Sequence, residues 1–261
     1  MDNKRLRMIE SSCVKIRKRL ELRDNPKVEF RIRKFIRYEN NKYILEKSEG
    51  GIIEPPETLI DQNTFLRPIH DFEEEYMQLA HDTKKGNPYK IILIEIITTI
   101  NNLKIFAGYN MLLVNKLKNG ERYCAIVSVH VREIFRACGL MTLLKDLEIE
   151  EAKNNCSDYI QTYHLKNNPN FNGAIIPSLK KGFILFHGNN AGGETYEAKG
   201  YVHLRYYFQK QRVKDVSIRF TDGTIYNSPG QNKLIIEYLK KAEQLPGKTI
   251  QKIEPYKSLY I

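Results

Sequence analysis

The 261-residue chain is 41% hydrophobic and 28% charged, a balance that excludes wholesale disorder. Its longest apolar run, Ile91–Ile97 with Glu95 inside it, is far short of the roughly 20 residues that a membrane span needs. Arg5, Arg7, Glu10, Lys15 and Arg17 interrupt any secretory leader at the N-terminus, and Cys13, Cys124, Cys138 and Cys156 lack CxxC spacing. No metal site, no disulfide framework and no membrane partner are therefore expected. Reduced thiols in an intracellular, cytoplasmic setting are.

The net charge of +11 asks for an anionic partner or serves solubility. Much of it lies early, at Lys4, Arg5, Arg7, Lys15, Arg17, Lys18 and Arg19, and then at Arg31, Arg33, Lys34 and Arg37. Nucleic acid is one candidate partner and a phosphate-rich cofactor is another. Phe30, Phe35 and Tyr38 interleave with these charges, but no compact nucleic-acid motif accompanies them. A solvated basic face is the leading reading of this region.

In chain order, Leu6, Ile9, Val14 and Leu20 predict a helix from Asp2 to about Leu22. Val28, Phe30 and Ile32 alternate with charges as in a strand, and Lys42–Leu45 returns as a second one. Gly50-Gly51 and Pro55-Pro56 mark a linker, giving a basic N-terminal extension over residues 1–60. Thr64–Pro68 reads as a short strand, and Asp71–Ala80 as a helix opening on acidic residues. Tyr89–Ile100 and Leu103–Asn115 form an antiparallel pair around Asn101-Asn102. Asn119-Gly120 then turns into the strand Arg122–Val131.

The period changes after that strand. Leu140, Leu143, Leu144, Leu147 and Ala152 predict a helix to about Asn154, followed by the strand Tyr159–Leu165. A helix from about Asn170 to Lys181, with Gly182 as its C-cap, leads to the strands Phe183–His187 and Tyr201–Phe208. The main domain thus covers residues 61–208. Residues 209–261 form a C-terminal extension with one helix, Asn232–Gln244, ended by Pro246-Gly247.

The chemistry concentrates in Val129–Leu144, where a strand runs into Arg136-Ala137-Cys138-Gly139 and then an amphipathic helix. Such a loop gathers backbone N–H groups at a helix N-terminus, where the dipole favours anions. Gly139 removes a Cβ from the path of an approaching pyrophosphate, and Arg136 adds charge or braces the loop. By itself Arg-x-x-Gly fits an ordinary βα loop equally well. A second pattern, Asn170-Phe171-Asn172-Gly173-Ala174 through Lys180-Lys181-Gly182-Phe183, follows the strand Tyr159–Leu165.

Together the two patterns resemble the GNAT superfamily of N-acetyltransferases, and Phe65-Leu66-Arg67-Pro68 resembles the opening of that domain. The resemblance covers about residues 63–208. It implies an α/β fold of the α+β type: a mixed, mostly antiparallel, splayed sheet flanked by helices, with the strands ending at Val131 and running Tyr159–Leu165 diverging as a V. It further implies acetyl-CoA as co-substrate, held by Val129, His130, Val131, Arg136, Ala137, Cys138, Gly139, Leu140, Met141, Thr142 and Asn172. Transfer would go directly to a primary amine of a small molecule or protein, with no covalent enzyme intermediate.

Four positions depart from the family pattern. Met141 stands where Gly or Ala is usual, and Ala137 and Cys138 replace small and basic residues. Ser178 stands where many members place a tyrosine that protonates the departing thiolate. Glu121 and His130 are the candidate bases, since a general base needs a pKa near working pH. Strand parity turns His130 to the other face of the sheet, and a β-bulge would reverse that. A GNAT-fold protein that binds CoA or an anionic partner without catalysis is the alternative. A nucleic-acid-binding module using the N-terminal helix and hairpin is the third reading, and an oligomer contact through that region is a further role for it.

Overall fold

β-branched and aliphatic side chains crowd residues 90–114, and the resulting strands are buried along nearly their whole length. The computed structural model describes residues 3–37, 43–49, 90–117, 119–155, 157–168, 171–187, 200–209, 216–243 and 250–255. The strand expected at Thr64–Pro68 and the helix at Asp71–Ala80 lie outside these residues. The chain divides into two units, residues 1–156 and 157–261.

In the first unit, helix α1 (Asn3–Arg19) is followed by β1 (Lys27–Arg37), β2 (Tyr43–Glu49), β3 (Lys90–Ile100), β4 (Leu103–Lys116), β5 (Arg122–Val131) and helix α2 (Leu140–Asn154). The strands lie in the order β2-β1-β3-β4-β5, each pair antiparallel. Strand β1 pairs with β3 from Lys27↔Thr99 to Ile36↔Lys90. Strand β1 therefore lies inside the sheet, between β2 and β3, and the two compact units meet at residues 156/157.

The reason is partly electrostatic. On one face, Arg31 and Arg33 both bind the fully buried Glu95 across the β1–β3 pair, at 2.6–3.1 Å through four N–H···O contacts. On the other face Lys34 pairs with Glu151 of α2 at 2.8 Å. Asn110 of β4 donates to Glu148 of α2 at 2.6 Å, and Lys145 donates to the same carboxylate at 2.9 Å. Asn110, Lys145 and Glu148 are all fully buried. Burial pushes the Glu148 carboxyl up from its ordinary value, against the pull of Lys145 and Asn110.

The second unit holds β6 (Tyr159–Leu165), α3 (Phe171–Lys180), β7 (Ile184–Leu185), β8 (Tyr201–Tyr207), β9 (Val216–Phe220), β10 (Ile225–Ser228), α4 (Asn232–Glu243) and β11 (Ile250–Pro255). Strand β8 pairs antiparallel with both β6 and β7. Strands β10-β9-β11 form a small antiparallel sheet that periodicity did not reveal. Residues after 209 are tied into this unit by hydrogen bonds. Asn232 donates to the Phe183 carbonyl at 3.1 Å, and the Leu185 amide donates to Ser228 Oγ at 3.3 Å. His187 Nδ1 lies 2.9 Å from the Ile253 carbonyl.

Candidate functional site

Strand β5 carries the site and is not regular. Met111 pairs with Ser128 and Leu112 with Ile126, so Val127 is an extra residue, a β-bulge. The bulge reverses the side-chain alternation beyond it. Val129 lies opposite Asn110, whose side chain meets α2, so Val129 and the buried Val131 share the helix-covered face. His130 is thereby turned to the opposite face, exposed, with its ring stacked on Tyr109 at 6.1 Å.

The end of β5 is held close against β4. A Cβ built on Gly108 would sit 2.5 Å from the His130 carbonyl oxygen and 3.1 Å from Val131 Cα. The Arg132 amide donates to the Ala107 carbonyl at 2.9 Å, and the chain then makes one 3₁₀ turn, Glu133–Phe135. Phe135 is fully buried and anchors that turn.

The loop before α2 alternates hand. Ala137 has φ of +61° and Gly139 has φ of +87°. The left-handed region strains a residue that carries a Cβ, so Ala137 stores local strain here. Backbone arranged this way brings successive N–H groups together in an anion-binding concavity. Gly139 is the N-cap of α2 and offers no side-chain acceptor, and the first turn of α2 contains no acidic residue. The positive end of the helix is thus left uncompensated by its own sequence. Thr142 closes the turn, its amide donating to the Gly139 carbonyl at 3.1 Å. Arg136 is a brace, with Nε donating to the Val131 carbonyl at 3.2 Å.

Helix α1 lies against this loop, a placement the sequence did not disclose. The position a Cβ would take on Gly139 is 3.2 Å from Ser12 Oγ and 4.0 Å from Lys15 Nζ. The room that Gly139 leaves therefore serves the docking of α1, a different reason for glycine than open access to a phosphate. Arg19 donates to the Glu133 carbonyl at 3.4 Å, and Arg5 pairs with Glu150. Burial pushes the Cys138 thiol up, with the charges of Arg19 and Lys15 opposing the shift. A groove of about 620 Å³ runs between the two helices, lined by seven residues of α1 together with Gly139 and Thr142. The sequence signal was present at Lys4, Arg7, Ser11 and Lys15, which recur at helical spacing.

Of the remaining candidates, Glu121 lies in the first unit and Ser178 and Asn172 lie in the second. Glu121 directly precedes β5, nine residues from His130, so the two stand at opposite ends of the strand, roughly 30 Å apart. In the second unit, Ser178 is fully buried and its Oγ donates back to the Ala174 carbonyl at 3.3 Å. Asn172 spends its side-chain N–H on the Leu239 carbonyl at 3.1 Å, tying α3 to α4. Among the described residues no cluster of His, Cys, Asp and Glu is suited to hold a metal ion. No described helix is long and apolar enough to cross a membrane.

No family model and no curated protein matches the chain. Solved structures do. The NatC complex bound to Gag peptide and CoA is 14% identical with a TM-score of 0.38, covering 58% of this chain and 87% of that one. An acetyltransferase of the GNAT family from Streptococcus pneumoniae is 14% identical with a TM-score of 0.34, covering 52% and 74%. The chain is similar in fold to GNAT proteins. An IAA acetyltransferase from Bacillus cereus is also similar, at 13% identity and a TM-score of 0.34, covering 60% and 97%. At these identities the likeness to GNAT proteins is one of fold alone.

Proposed function

We propose that the chain is an acyl-CoA-dependent N-acyltransferase that moves an acetyl group from acetyl-CoA directly to a primary amine. The observation that carries this reading is the loop Arg136–Thr142. Two left-handed residues and an uncapped, non-acidic helix start follow directly on the end of a strand. Such a loop suits a diphosphate, whose oxygens replace the missing cap of α2. The pantetheine arm would then run back along Val129–Val131.

In the transfer the amine nitrogen attacks the thioester carbonyl. The C–N bond forms, the C–S bond breaks, and the ammonium proton must pass to a base. His130 is supported as that base by its exposure and by its place three residues before the turn Glu133–Phe135 that leads to the loop. A neutral imidazole carries one ring nitrogen that can accept a proton. Glu121 is supported less well, being at the far end of the strand. Because the Ser178 hydroxyl is committed to Ala174, the departing thiolate would take its proton from water.

That same commitment of Ser178 favours a second reading, a GNAT-fold protein that binds CoA without catalysing transfer. A thermal shift with acetyl-CoA and with CoA tests both readings, since a ligand of the native state raises its stability by mass action. No shift with either ligand at millimolar concentration overturns both. A thiol-release assay over polyamines, aminoglycosides, lysine peptides and N-terminal peptides then separates enzyme from binder.

A further inference from the structure

The groove beside Gly139 is built mostly from α1, which lies outside the stretch that resembles the GNAT domain. Its wall presents Lys4, Arg7 and Lys15, all exposed, with Ser11 between them. None of the lining residues is acidic. Lys4 and Lys15 are eleven residues apart, about 16 Å along the helix axis. The opposite wall is the uncapped start of α2.

Helix α1 is fixed in this position from three directions. Arg5 is held by Glu150 outside the groove, Ser12 is buried against Gly139, and Arg19 reaches the Glu133 carbonyl. The cations are therefore carried on a seated helix. Three of them spread over such a length suit a ligand with phosphates at more than one point better than a lone anion. No aromatic side chain lines the groove, whereas sequence-tolerant binding of a single nucleic-acid strand relies on aromatic platforms.

We propose that α1 is the second wall of the phosphate site, with Lys4, Arg7 and Lys15 binding the diphosphate and the 3′-phosphate of acetyl-CoA across from Gly139 and Thr142. This rests on the acyl-CoA reading above. It assigns the early basic charge to the nucleotide end of the co-substrate, and so to affinity and specificity for the phosphorylated nucleotide.

The test is calorimetric titration of the full chain and of its K4Q/R7Q/K15Q variant with acetyl-CoA, 3′-dephospho-acetyl-CoA, adenosine 3′,5′-bisphosphate and a single-stranded RNA 20-mer. The expected result is that the variant binds acetyl-CoA about tenfold to a hundredfold more weakly, with exposed cation–phosphate pairs each contributing modestly. Its loss toward the dephospho compound should be smaller, and the salt dependence of acetyl-CoA binding should flatten. A second variant, K15E alone, should weaken acetyl-CoA binding and leave the melting temperature unchanged. Equal affinity of wild type and variant for acetyl-CoA overturns the proposal while leaving the acyl-CoA reading intact. So does a loss confined to the RNA. Failure of the wild type to bind acetyl-CoA at all overturns the acyl-CoA reading itself.

Discussion

Gly108→Ala should damage the site from beneath. The new Cβ would lie 2.5 Å from the His130 carbonyl oxygen, a backbone atom with no rotamer to change. Real Cβ contacts essentially never fall under 3.0 Å and ordinary ones begin at 3.4 Å, so β4 and β5 must part by roughly 0.5–0.9 Å at this point. Overpacking of this kind costs about 1–3 kcal/mol. For a chain of this size that lowers Tm by about 2–12 °C. The same displacement moves His130 and Val131, and Val131 is where Arg136 anchors the loop. Acetyl-CoA affinity should therefore fall together with stability. Thermal melts and calorimetric titration of the variant against wild type measure both. A melt within about 1 °C of wild type would refute the close-approach argument. A lowered melt with unchanged affinity would remove the end of β5 from the binding site.

Three further outcomes are expected. Lys145→Ala leaves Glu148 buried without its cation, and removing one partner of such a pair costs about 3–5 kcal/mol; a urea midpoint like that of wild type would contradict this. His203 is fully buried with a pKa held well below its ordinary value, first by burial and then by the charge of Arg205. The unfolded chain therefore binds a proton below about pH 6.5 that the folded chain resists. Stability is complete above that pH and should fall on acidification by up to about 1.4 kcal/mol per pH unit. His203→Leu should flatten this slope in denaturant titrations run from pH 7 downward, and an unaltered slope would assign the acid loss elsewhere. Ser178→Ala should leave the transfer rate within about twofold, because its hydroxyl only back-bonds to Ala174 within α3; a large fall in kcat would restore it as the acid.

The strongly periodic elements were legible in the sequence. The strands Arg122–Val131 and Tyr159–Leu165 and the helix Leu140–Asn154 fall where alternation and helical spacing put them. What escaped were features set by contacts distant in sequence. Charged alternation in Lys27–Arg37 reads as a half-exposed hairpin, yet Glu95, inside an apolar run, compensates Arg31 and Arg33 and lets the strand enter the sheet. The bulge at Val127 has no composition signal, because its extra residue is another β-former. The left-handed turn at Ala137 was hidden by a residue type that rarely adopts it. At the site, the loop was readable from Arg136 and Gly139. Its cover, α1, was not, since a basic helix face looks the same solvated or seated.

The pairing of β1 with β3 also bears on how the chain is made. Ile32 lies opposite Ile94, about 60 residues later. At synthesis rates of about 5–20 residues per second, β1 waits about 3–12 s for the strand that completes it. Long-separated pairings of this kind slow folding and expose unpaired edges in the interval. Charged side chains on a strand edge oppose edge-to-edge pairing, and Arg31 and Arg33, which bind Glu95 in the folded sheet, put two such charges on β1 before Glu95 is made. The same two side chains then hold β1 to β3 at Glu95 once the sheet is complete.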